Sequence, residues 1–208
     1  MKIGLLTSDK VMTVLDWCYE QSLNGLPAMP SVSEIAERYL DKHHQNPEAA
    51  IKAFVRWQHA KVGTTGFLTG LGGLITLPVA VPADVSSVLY VQTRMIAVIA
   101  SIRDYDLNDD QVKTFVYACL VGQSGVDLLK NAGVKIGQKL TVQMIKQIPK
   151  QVLLAINKKV GLRLVTKFGQ KGVVNLGKLV PVVGGVIGGT VNMGSNLVIA
   201  KTAKKVFI

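Results

Sequence analysis

The chain has 208 residues, enough for one domain or a tight pair, and 49% hydrophobic content with 18% charged residues excludes a disordered chain. Its two cysteines, Cys18 and Cys119, give neither the disulfide framework of a small secreted domain nor a metal knuckle, so a reduced, cytoplasmic setting is expected. The formal charge of +11 is lopsided: residues 1–127 hold all 13 acidic residues and 10 basic ones, whereas residues 128–208 hold 14 basic residues and no acid.

The apolar run of the N-terminal MKIGLLTSDK is too short for the core of a signal peptide. Val11, Val14, Leu15, Cys18 and Tyr19 then recur at helical spacing, and Asn24-Gly25 is a good helix stop. A linker with two prolines, residues 25–30, follows. Ser31 and Glu34 form a capping box for a helix to about His44, and Asn46-Pro47 opens another through Trp57. Residues 1–45 read as an N-terminal helical appendage and 46–208 as one helical domain.

Two uncharged stretches, 62–83 and 179–200, are each long enough to cross a bilayer as a helix. Pro78, Pro82, Pro181 and Asn192 lower their transfer gain, which favours buried or interfacial helices over insertion. Between them, Asp84 caps a helix to about Ile102, and Asn108 with Gln111 caps the next to about Val121. Further helices run to Lys146, then past Pro149, and a last one ends near Lys205. With no convincing alternating strand, the expected fold is all-α: a compact multi-helix bundle with closely packed, Gly-rich central helices. Gly66 and Gly70, Gly184 and Gly188, and Gly185 and Gly189 are each four apart, a spacing that lets helices approach closely.

Few motifs carry chemistry. Gly172 to Lys178 reads like a P-loop, but Leu179 stands where a metal-binding hydroxyl belongs and no strand precedes it. Asp104, Asp106 and Asn108 imitate a calcium loop, yet Phe115 stands in place of its bidentate Glu. No catalytic residue, metal site or cofactor is expected. On the 84–102 helix, Val85, Val88, Leu89, Met95, Ile96 and Ile99 share a face with Gln92 in its middle, while Asp84, Ser87 and Arg94 share another. Gln92 reads first as a satisfied core amide and second as a pocket residue; Asp84, Gln92 and Arg94 are the ligand-pocket candidates.

The blocks TGFLTGLGGLITLPVAVPADV (65–85), VQTRMIAVIASI (91–102), NKKVGLRLVTKFGQKGVVNLGKLVPVVGGVIGG (157–189) and AKKVF (203–207) resemble, in that order, the EcsC family of bacterial proteins. The resemblance spans about residues 50–207. It implies a bacterial or phage origin, an all-helical fold and a loose link to membranes, and it brings no catalytic residues. Beside it stands the charge. Lys158, Lys159, Arg163, Lys167, Lys171 and Lys178 form the expected anionic-surface contact, with anionic membrane lipid or a lipid-like ligand as the partner. A membrane-protein partner is a further expectation. Nucleic acid is the weaker rival, because the 14 basic residues include one Arg and stacking aromatics are scarce there. The expected function is therefore non-enzymatic binding of lipid or a membrane surface, cytoplasmic and peripheral to the inner membrane. The alternatives are insertion through 62–83 and 179–200, or an enzyme of unrecognised type around Asp84, Gln92 and Arg94.

Overall fold

The computed structural model describes residues 6–25, 29–62, 81, 83–169 and 187–208. Among them are nine helices and no strand, as expected. They are α1 (Ser8–Asn24), α2 (Val32–Lys42), α3 (Pro47–Val62), α4 (Ala83–Ile102), α5 (Asp110–Cys119), α6 (Gln123–Asn131), α7 (Val142–Lys146), α8 (Lys150–Phe168) and α9 (Ile187–Val206).

Local chemistry sets most of the helix ends. Thr7 caps α1 by accepting from the Lys10 amide at 3.3 Å, and Gly25, at φ +78°, ends it. The Ser31–Glu34 capping box forms in both directions. Asn46 accepts from the Ala49 amide at 3.1 Å, with Pro47 opening α3. Two caps differ from expectation. Asn108 does not cap α5; Asp109 takes that position, while Asp106 accepts from the Asn108 amide at 2.9 Å and rounds the loop. Asp84 falls inside the first turn of α4 rather than ahead of it.

α4 is the central helix. It packs against α1, α2, α3, α5 and α9, and every residue from Leu89 to Ala100 is buried. The expected two faces, one apolar and one polar, are therefore corrected: neighbours cover α4 all round, and Ser87 and Arg94 are buried with the rest. α4 also carries the single segment among the described residues that is long and apolar enough to cross a membrane. That segment, Val85–Ile102, has a mean hydropathy of 1.5 and is 83% buried in the protein.

The helices of residues 1–45 pack on those that follow. α1 lies on α4 and α8, and α2 lies on α4. Val11, Val14, Leu15, Cys18 and Tyr19 join the same core as Phe115 and Val160. An apolar stripe of that width has to be covered, and α4 with α8 supplies the cover. Gly161 makes the approach possible, since a Cβ there would stand 2.3 Å from Ser8 Oγ. The C-terminus is fixed too. Phe207 is buried edge-on against Tyr105 at 5.1 Å between ring centroids, and the Tyr105 hydroxyl donates to the Ile208 carbonyl at 3.3 Å.

Candidate functional site

Gln92 and Arg94 leave α4 toward different neighbours. The Gln92 amide donates to Asn196 Oδ1 at 2.9 Å and to Ser195 Oγ at 3.3 Å, joining α4 to α9. It is a buried core amide whose nitrogen is satisfied, short of the satisfied amide of the first reading, since its own oxygen is buried with no partner among the described residues. Arg94 turns to the α1–α2 linker. Its guanidinium donates to the Pro30 carbonyl, to Tyr90 Oη at 3.2 Å and to Met29 Sδ at 3.3 Å. A buried cation held this way is a clamp on the linker. Together with Asp84, whose side chain lies outside the described residues, these residues were the expected pocket. Among the described residues Gln92 and Arg94 reach different neighbours, because a two-residue step along a helix points side chains to opposite sides.

The basic residues behave differently. All twelve described Lys and Arg after Asp127 are exposed. None of them forms an ion pair among the described residues, where the pairs are Arg103–Glu48 and Lys113–Asp16. α8 carries five of them, Lys150 at its start and Lys158, Lys159, Arg163 and Lys167 along its solvent side. Leu154 and Leu162 sit on that side as well, 59% and 52% exposed. The spacing 154, 158, 162 with 159, 163, 167 makes a stripe of leucines bordered by cations. The Lys167 ammonium lies 5.2 Å from the Phe168 ring centroid. Crowding there lowers its pKa from the usual lysine value, even though the residue as a whole is exposed.

Beside this stripe runs a cleft of about 590 Å³ between α8, α9 and the α5–α6 turn. Arg163 and Lys167 stand on its α8 edge with Thr166 between them. Leu120, Val121, Val198 and Ile199 make its apolar wall. Ser124 and Ser195 add hydroxyls, and no acid lines it. At the turn, Gly122 adopts φ +61°, a backbone that favours glycine, and precedes α6 with no side-chain cap. A second groove, about 580 Å³ between α1, α5 and α8, has mixed charge, with Asp9, Asp16 and Asp110 against Lys113, Lys150 and Lys158. There Asp16 accepts from Tyr117 Oη at 2.8 Å and lies 2.7 Å from Lys113 Nζ. Burial, then the Asp16 charge, pushes the Tyr117 hydroxyl far above its ordinary range, so it holds its proton near neutral pH.

Burial raises both thiols, Cys18 and Cys119, well above their ordinary range, which makes them inert. Among the described residues no group of three His, Cys, Asp or Glu could hold a metal. Lys171, Lys178, Gly66, Gly70, Gly184, Gly185 and the Gly172–Lys178 motif lie outside the described residues, and Gly188 and Gly189 are placed only as part of the first turn of α9. The close glycine contacts that are described, Gly161 on α1 and Gly125 on Ala118, fall elsewhere. Sequence reading missed them because single glycines inside helices carry no spacing signal. It missed Asn196 and Ser124 because nothing in sequence pairs position 92 with 196. Comparison with protein-family models, with curated proteins and with solved structures finds no match to this chain.

Proposed function

We propose that this chain is a non-enzymatic protein that binds the anionic surface of a membrane through α8. The observation that carries this reading is the exposed stripe of Leu154 and Leu162 bordered by Lys158, Lys159, Arg163 and Lys167, four cations with no carboxylate partner among the described residues. Leucines of this kind enter the headgroup boundary while lysines meet lipid phosphates. The lack of any acid after Asp127 extends the positive field beyond α8. Residence on the cytoplasmic face of a bacterial inner membrane, and membership of an EcsC-like group, are parts of the same proposal.

Flotation with phosphatidylcholine vesicles, with and without phosphatidylglycerol, tests it. Binding is expected on the anionic vesicles only. It should fall steeply between about 0.01 M and about 1 M salt, as the screening length drops from about 30 Å to about 3 Å. Replacing Lys158, Lys159, Arg163 and Lys167 by Glu should weaken binding by roughly a thousandfold or more, at about 1 kcal/mol for each lost cation. Circular dichroism should be unchanged, since exposed charges contribute little to stability. A folded variant that floats as well as the parent sinks the reading. Binding that resists both salt and carbonate would instead favour insertion through the 62–83 and 179–200 segments.

A further inference from the structure

The cleft beside α8 has a composition that the surface stripe alone does not require. Three sources of positive potential meet in it. Arg163 and Lys167 stand one helical turn apart on the same edge. The start of α6 supplies the third: Gly122 and Ser124 line the cleft, and no side chain among the described residues caps that helix. Of its first amides, those of Gly125 and Val126 donate to the Gly122 carbonyl, which leaves those of Gln123 and Ser124, with the positive end of the dipole, to face an anion. Behind them, buried Gln92 donates to Ser195 Oγ, which leaves the Ser195 hydroxyl proton to donate elsewhere. Ser195 itself lines the cleft. The opposite wall, Leu120, Val121, Val198 and Ile199, is purely apolar. A small inorganic anion would leave that wall wet, and a plain hydrocarbon would leave two cations and three hydroxyls unanswered.

We propose that this cleft holds the phosphate-bearing headgroup of one anionic phospholipid. Arg163, Lys167 and the first amides of α6 meet the phosphate, and the glycerol with its first acyl carbons lies on the apolar wall. A phosphate suits this donor set, since arginine can grip two of its oxygens and a helix start favours the charge. The volume, about 590 Å³, lies within the usual range of small-molecule sites and suits a headgroup rather than a whole lipid. The acyl tails stay in the bilayer against which α8 lies. The proposal rests on the membrane-surface reading and adds one stoichiometric, saturable site to it.

The test uses lipids that stay monomeric in water. Dihexanoyl phosphatidylglycerol, dihexanoyl phosphatidylcholine and inorganic phosphate are titrated by calorimetry into the full chain. One site for dihexanoyl phosphatidylglycerol is expected, at least about tenfold tighter than either of the others, a margin of about 1.4 kcal/mol. Val198→Trp fills the cleft without changing its charge and should abolish that binding; if this variant fails to fold, Ser124→Trp fills the cleft from its other side. Lys158→Glu with Lys159→Glu, both outside the cleft, should lose flotation and keep the short-chain site. Equal binding by Val198→Trp, or phosphate alone binding as tightly as the lipid, overturns the proposal. So does a wild-type chain that floats yet shows no saturable short-chain binding, and that result leaves the surface reading standing. A chain that does neither removes both.

Discussion

Arg94, Arg103 and Lys113 each end on oxygens of the protein, whereas Lys158, Lys159, Arg163 and Lys167 end in solvent. The two sets sit on opposite sides of the chemistry that burial imposes. The buried Arg94 is enclosed by a carbonyl and a hydroxyl, because an unpaired charge there would cost several kcal/mol, while Arg103 and Lys113 meet carboxylates that are themselves partly exposed. On the α8 side Lys158, Lys159 and Arg163 are exposed to water, and Lys167 alone is crowded, over the Phe168 ring. No acid follows Asp127 in the chain, and none of these four cations forms an ion pair among the described residues. The inward set answers to stability, and the outward set is the one on which the proposed membrane contact rests.

Three measurements break or sharpen this contrast. The largest effect concerns the sealed side as a whole. Cys18 and Cys119 have thiol pKa values raised by burial, so in the folded chain they keep protons that the unfolded chain releases. Their contribution is complete below the ordinary thiol pKa of about 8.5 and is lost as pH rises above it, at about 1.4 kcal/mol per thiol for each unit. By pH 10 the two together should remove about 4 kcal/mol of stability, measured by urea unfolding, and Cys119→Ala should halve that slope. A stability flat from pH 7 to pH 10 would mean that this side is open to water.

The intermediate effect separates the two kinds of cation directly. Arg94→Met keeps the length of the side chain but leaves the Pro30 carbonyl and Tyr90 hydroxyl without their donor, and should cost about 2–3 kcal/mol. Lys159→Met on α8 should shift stability by less than about 0.5 kcal/mol. Similar losses in the two variants would erase the distinction. The smallest effect concerns the seam between the sides. Gly161→Ala sets a Cβ 2.3 Å from Ser8 Oγ, a side chain near a helix start that has room to turn, so a loss of about 1 kcal/mol is expected. Ser8→Ala in the same chain should recover most of it, and failure to do so would place the strain in the backbone of α1 and α8.

Much of the architecture was legible in the residues. The α1 stripe from Val11 to Tyr19, the Ser31–Glu34 box and the Asn46-Pro47 start depend on neighbours within one or two turns, and all three are present. What failed was reading α4 as two-faced. Its alternation of Gln92, Arg94 and apolar residues is compatible with exposure until five helices are placed around it. Where α1 and α2 dock was not legible either: a proline linker signals a turn in the chain and says nothing about where the next helix packs. The α8 cations were legible as a charge run. The cleft beside them was not, because its edges come from positions 120–124, 163–167 and 195–199, which only the tertiary fold brings together.

Arg94 also matters before the protein is folded. As the chain leaves the ribosome, Val85–Ile102 is an apolar helix of membrane-spanning length that has yet to acquire all its neighbours. An arginine at the middle of such a segment costs about 2.5–3.5 kcal/mol to insert, and Gln92 lies two residues away from it. The side chains that later clamp the linker and tie α4 to α9 thus bias the nascent segment away from the translocon's lipid gate and toward its own bundle.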